Sequence, residues 1–253
     1  MSKSRIPIAL QLYSVREACQ EDFPGTLKAV AEMGYEGVDF AGYYGYDAKT
    51  IRSMLDDLGL AVAGCHTALS TLMGEELGAT LEFNRILGNR YLIVPWIPED
   101  YRDSVEAWER TAELFNEIAA NLEPEGMFTG YHNHHVEFTP YENGQTGWDI
   151  LASNTNAHVV MQLDLGNALH GGGDPVTYLK RYPGRALTLH LKEYAAGKDK
   201  VLIGDGDVAW QEVFDVVESQ GATEWYIVEQ ENYPYPPLES VKRSLDNLRA
   251  MGK

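Results

Sequence analysis

Three histidines and a carboxylate fall within six residues in the stretch Gly130-Tyr131-His132-Asn133-His134-His135-Val136-Glu137-Phe138. The stretch follows a short apolar run at Met127 and Phe128 that reads as a buried strand. Imidazoles and carboxylates are the ligands that divalent metals take up, and close spacing at a strand end lets several side chains converge on one point. On a strand, His132 and His134 face one way and Asn133 the other. Glu137 lies just beyond, where the chain turns into a loop.

Polar residues recur at the ends of the other apolar runs. They are Gln11 and Tyr13, Asp39, His66, Trp96, Asp164, His190 with Lys192, and Glu229 with Glu231. Asp164 closes the run Val159-Val160-Met161-Gln162-Leu163, and a buried carboxylate there needs a partner because an unpaired charge is costly. Glu137, Asp164, His190 and Glu229 make a set of three carboxylates and one imidazole. That mixture suits Mn²⁺, Mg²⁺ or Co²⁺ better than a structural zinc, which prefers Cys and His. Each residue also has an ordinary role open to it. A lone strand-end histidine is commonly hydrogen-bonded, Glu229 can pair with Lys192, and Asp164 can cap a following helix. Their coincidence on successive strands favours one shared cation.

The frame that would bring these ends together is an alternation of short β-type runs and amphipathic stretches. Strands are expected over residues 6–15, 37–40, 60–66, 91–96, 126–134, 159–165, 186–192 and 225–229. Helices are expected over 23–33, 48–58, 69–87, 103–122, 148–153, 175–180, 210–219 and 238–251. Eight βα units fill residues 1–253 without a linker or spare domain. They point to a single-domain α/β fold, a (β/α)₈ TIM barrel, which takes roughly 250 residues and gathers its chemistry at the C-terminal strand ends. A doubly wound open sheet is the alternative. It is disfavoured because Tyr13-Ser14-Val15-Arg16-Glu17, and no glycine-rich fingerprint, follows the first strand.

Composition narrows the function. The formal net charge of −18 repels a phosphate backbone, so nucleic-acid partners are not expected. No run approaches the ~20 apolar residues of a membrane helix. No apolar segment follows the basic residues at the N-terminus, and the two cysteines, Cys19 and Cys65, form no disulfide framework. A cytoplasmic location is expected.

The motifs resemble the xylose isomerase-like barrels of the sugar phosphate isomerase/epimerase superfamily. The resemblance rests on Leu10-Gln11-Leu12-Tyr13-Ser14-Val15-Arg16, Tyr131-His132-Asn133-His134 with Glu137-Phe138, and Leu163-Asp164-Leu165-Gly166-Asn167. It continues in His190-Leu191-Lys192-Glu193, Gly204-Asp205-Gly206-Asp207-Val208 and Val228-Glu229-Gln230-Glu231. It implies one divalent metal ion, Mn²⁺ first and Mg²⁺, Co²⁺ or Zn²⁺ after it, held by acidic residues after strands 5, 6 and 8 and a histidine after strand 7. Asp164, His190 and Glu229 match. The strand-5 glutamate of the epimerases falls where this chain has His132, so either Glu137 turns back to the metal or His132 replaces the carboxylate. Glu137 is the expected ligand.

The chemistry so implied is proton abstraction beside a sugar carbonyl, with Glu229 as base, His132 handling a second proton, and Lys192 stabilising negative charge. Tyr13, His66, Trp96, His134 and Asn167 are the expected contacts to a small sugar substrate. The leading activity is a sugar isomerase or epimerase working through an enediolate. The alternative is a lyase or dehydratase on a keto-inositol or 3-keto-glycoside, which the histidine-rich strand 5 resembles somewhat more. An abasic-site endonuclease would need more ligands and a basic face, and a sugar-binding barrel without turnover would not explain the carboxylates. A phosphate would seek Arg, Lys or a run of backbone N–H groups, so a phosphorylated substrate is not expected, although Gly171-Gly172-Gly173 after strand 6 could provide such a nest. A homodimer is a family expectation.

Overall fold

The computed structural model describes residues 5–253. The N-terminal positions 1–4, read above for a leader, lie outside the described residues. Eight parallel strands form one sheet in the order β6-β5-β4-β3-β2-β1-β8-β7. They are β1 Ile8–Gln11, β2 Gly37–Phe40, β3 Ala61–His66, β4 Tyr91–Val94, β5 Phe128–His132, β6 Val159–Gln162, β7 Thr188–Leu191 and β8 Trp225–Val228. Helices follow the strands, so the expected (β/α)₈ barrel is the fold. Among the described residues, no helix is long and apolar enough to cross a membrane.

The ring closes differently at one place. Adjacent strands elsewhere share ladders, such as Leu189↔Tyr226 through Leu191↔Val228 between β7 and β8. β6 and β7 are joined instead by the bridge Asp164↔His190. His190 N–H donates to Leu163 O at 3.0 Å and Met161 N–H to Arg185 O at 2.9 Å.

Local sequence explains the elements. Asp47 caps the helix Ala48–Leu58, accepting the N–H groups of Lys49 and Thr50 at 3.0 Å, an arrangement that contributes about 0.5–2 kcal/mol. Gly59 ends that helix at φ 67°, a left-handed conformation that glycine adopts without strain. The sequence-based strand ends run too long. Residues 12–15 form a 3₁₀ turn after β1, and the helix Leu165–His170 replaces an expected strand end and loop. The first case arises because Gln11 uses its side chain to accept Tyr13 N–H at 3.0 Å and so starts a turn. In the second, Asp164 accepts Asn167 N–H at 2.7 Å and starts a helix.

The period-2 alternation of each strand decides which residues meet. Leu10, Val38, Leu92, Tyr131, Met161, Leu189 and Val228 pack outward in the main apolar cluster beneath the helices. The intervening residues turn into the barrel. Ala9, Ala63 and Ile227 form one small interior cluster, and Tyr91, Ile93 and Val160 another. Above these apolar layers, the same inward register delivers Gln11, Asp39, His66, His132, Gln162, His190 and Glu229.

Candidate metal centre and active site

His132, Asp164, His190 and Glu229 each offer a ligand atom, and the four atoms lie within 4.8 Å of one another. All four side chains are buried. One Asp164 oxygen accepts Asn167 N–H, but Oδ2 is buried without a hydrogen-bond partner among the described residues. An orphaned buried carboxylate oxygen in a group of nitrogen and oxygen donors is what a divalent cation would satisfy, so the residues fit such an ion. His66, His132 and His190 form a second group of the same tightness. It shares two members with the first but lacks the carboxylates that oxygen-preferring cations require.

Glu137 is not part of either group. The expectation that it is the strand-5 ligand differs from the structure, in which residues 136–138 form a 3₁₀ turn. Tyr131 OH donates to Glu137 Oε1 at 2.7 Å, and His134 N–H donates to Oε2 at 2.8 Å. Both carboxylate oxygens are used to brace the strand end. His132 stands in the ligand group instead. Its Nδ1 is 3.2 Å from Gln162 Oε1, which leaves Nε2 open.

Electrostatics in the group are strong because water is excluded. His190 lies between two carboxylates, with Nδ1 2.5 Å from Glu229 Oε2 and Nε2 3.1 Å from Asp39 Oδ2. Burial opposes its charge, but the hydrogen bonds to Asp39 and Glu229 prevail and raise it to about 9. Burial would raise Glu229, yet Lys192 and His190 hold it well below the usual carboxylate range. Burial raises Asp164 to about 7, with Lys192 moderating the rise and Glu229 adding to it. Burial also pushes His132 well below its ordinary value, helped by the neighbouring His190 and His66.

Lys192 lies 3.7 Å from Glu229 Oε1 and closer to Glu231. Burial opposes its charge, but Asp164, Glu229 and Glu231 together hold it cationic. A cavity of about 270 Å³ opens over the group, lined by Tyr13, Ala41, His66, Pro95, His132, His134, Glu229 and Glu231. A larger cavity of about 640 Å³ lies at the opposite barrel end, around Arg5, Thr223 and Tyr226, away from the ligand group.

The expected substrate contacts divide. Tyr13, His66 and His134 line the cavity, and His134 Nδ1 is buried without a hydrogen-bond partner among the described residues. Burial lowers the His134 imidazole to about 4. Trp96 stands at the rim, nearly half exposed, with its ring 5.1 Å from that of His134 and the Arg102 guanidinium 4.3 Å above it. Asn167 is turned away. Its amide donates to Asn133 O at 3.1 Å, which ties the ends of β5 and β6 together. Gln162 was given no role from sequence, although a polar residue inside the apolar run before Asp164 was the signal for one. It contacts both His66 and His132.

The barrel is shared with known proteins. The family model described as xylose isomerase-like TIM barrel matches residues 27–251. An inosose dehydratase of Clostridium perfringens is 24% identical over 85% of this chain and 84% of its own length. A sugar phosphate isomerase/epimerase of Parabacteroides distasonis superposes with a TM-score of 0.83 at 24% identity, covering 98% of this chain and 97% of that one. An L-ribulose 3-epimerase superposes at 0.73 with 13% identity, over 97% and 94% of the two chains.

Proposed function

Because the chain belongs to the xylose isomerase-like TIM barrel family, we propose that it is a metal-dependent lyase acting on a small keto-sugar or keto-cyclitol. It takes the proton beside the carbonyl and expels a β-hydroxyl as water. The observation that carries this reading is the imidazole of His132 in the strand-5 place of the ligand group, with Glu137 committed to Tyr131. In the epimerases that the sequence resembles, the two proton carriers are glutamates on opposite sides of the substrate. Here the ligand group holds Glu229 and no strand-5 carboxylate. The inosose dehydratase relatives, which are dehydratases by name, point the same way.

His132, Asp164, His190 and Glu229 would hold the ion. Bound there, a divalent cation supplies Lewis acidity toward a carbonyl oxygen and an adjacent hydroxyl. Glu229, kept ionised by Lys192 and His190, is the base that accepts the α-proton. Lys192 is the fixed cation that stabilises charge developing on the substrate oxygen. His134, which lines the cavity, hydrogen-bonds the departing hydroxyl, and Glu229 hands the α-proton it has taken to that oxygen, which leaves as water. Tyr13 and Trp96 cover the ring from the rim, and His66 contacts a hydroxyl. The cavity of about 270 Å³ accommodates a single six-membered ring.

The test is to incubate the purified protein in D₂O with an inosose and a panel of free ketoses, with Mn²⁺, Co²⁺ or Mg²⁺ added, and identify products by NMR. The proposal expects an enone from the inosose and loss of the α-proton. A product isomeric with its substrate would replace elimination by isomerisation. Absence of any α-proton exchange with every metal would sink both.

A further inference from the structure

Asp39 is buried at the end of β2, and one of its oxygens, Oδ1, has no hydrogen-bond partner among the described residues. Its other oxygen carries two contacts whose directions can be assigned. Gln11 Oε1 accepts the backbone N–H of Tyr13 at 3.0 Å, so the Gln11 amide oxygen is identified by its donor. The Gln11 nitrogen therefore points at Asp39 and donates to Oδ2 at 2.9 Å. His190 Nε2 lies 3.1 Å from that same Oδ2. A carboxylate oxygen can only accept, so Nε2 carries a hydrogen toward Asp39, while Nδ1 faces Glu229, a member of the ligand group, and is the nitrogen whose proton a shared cation would replace.

The backbone is shaped for this contact. The β2–β3 register shifts between Val38 and Asp39, so that Val38 pairs with Val62 and Asp39 with Gly64. Bulges of this kind re-aim side chains beside active sites. A Cβ on Gly64 would stand 2.8 Å from Asp39 Oδ1. Glycine leaves the carboxylate its slot, and an alanine here would push Oδ1 aside.

We propose that Asp39, steadied by Gln11 and admitted by Gly64, is the positioning residue that fixes the tautomer and ring angle of His190, so that Nδ1 is presented to the metal. The inference rests on the metal-centre reading above. It adds the chain Tyr13 N–H, Gln11, Asp39 and His190, which runs through β1 and β2 to β7. Partners of this kind behind a metal-ligating histidine typically contribute ~10–100-fold in metal affinity.

The test measures Mn²⁺ binding by calorimetry for wild type, Asp39→Asn and Gly64→Ala, with thermal melts of the metal-free proteins. Side-chain ¹⁵N spectra of the Zn²⁺-loaded wild type give the His190 tautomer directly. The proposal expects binding ~10–100-fold weaker in Asp39→Asn, a smaller loss in Gly64→Ala, and Nε2–H on His190. Asp39→Asn binding Mn²⁺ as tightly as wild type overturns it, as does an Nδ1–H tautomer in the loaded wild type. If a variant does not fold, the wild-type tautomer decides. Wild type that takes up neither Mn²⁺ nor Zn²⁺ removes the metal-centre reading itself, a result distinct from intact binding that is indifferent to Asp39.

Discussion

Nδ1 of His190 and Oε2 of Glu229 stand 2.5 Å apart at the ends of adjacent strands, both side chains buried. A proton held between them occupies the position a cation would take, so metal and proton compete there. His190 is raised to about 9 and Asp164 to about 7, and both must lose their protons to act as ligands. Mn²⁺ affinity should therefore increase with pH, by roughly tenfold per unit for each proton displaced, between pH 6 and 8. Calorimetry at three pH values checks this, and a flat profile contradicts it.

The same groups set the stability of the metal-free protein. Asp164 has a higher pKa folded than unfolded, so the fold favours its neutral form. That contribution is fully present below the unfolded carboxylate range near 4 and is lost as pH rises through about 7. The thermal shift produced by added Mn²⁺ should accordingly be larger at pH 8 than at pH 6. Melting curves with and without metal at the two pH values measure it.

Glu229→Gln removes the proposed base while keeping the side-chain shape. Turnover should fall by about 10²–10⁴, the usual range for loss of a general base, and α-proton exchange should fall with it. Unchanged exchange would place the base elsewhere, and Glu231, on the same cavity wall, is then next to be replaced.

Glu137→Ala separates bracing from ligation. It leaves the buried Tyr131 hydroxyl without its acceptor, which costs about 1–3 kcal/mol, or roughly 2–4 °C of melting temperature per kcal/mol. Metal stoichiometry should stay as in wild type. Loss of the metal in a folded Glu137→Ala protein would return this residue to the ligand set.

Much of this site was legible because a barrel turns strand position into spatial position. Asp164, His190 and Glu229 each end an apolar run, and inward alternation leaves them one place to go. That Glu137 stands apart from the ligand group was not legible, because spacing along the chain does not show where a short turn folds back. The seven residues from Tyr131 to Glu137 bring the carboxylate back against the tyrosine hydroxyl. Asp39 and Gln11 were visible as polar strand ends, but their pairing depends on a register shift at Val38 that sequence does not display.

Cys19 and Cys65 complete the predictions. Both thiols are buried, and desolvation pushes them up to about 11 and about 12. Thiolate is the reactive form, so an aromatic disulfide reagent at pH 8 should titrate neither in the native protein and both after unfolding. Fast reaction of the native protein would contradict the burial.

The hoop of strands is fastened all round by ladders except where β6 meets β7. That joint lies between the strands that carry Asp164 and His190. An ion shared by these two residues would tie the two strand ends together. Amide exchange at His190 N–H, which donates to Leu163 O across the gap, would thus slow when the proposed ion is bound. Under the proposed reading, the grip on the ion and the soundness of the ring would be one quantity.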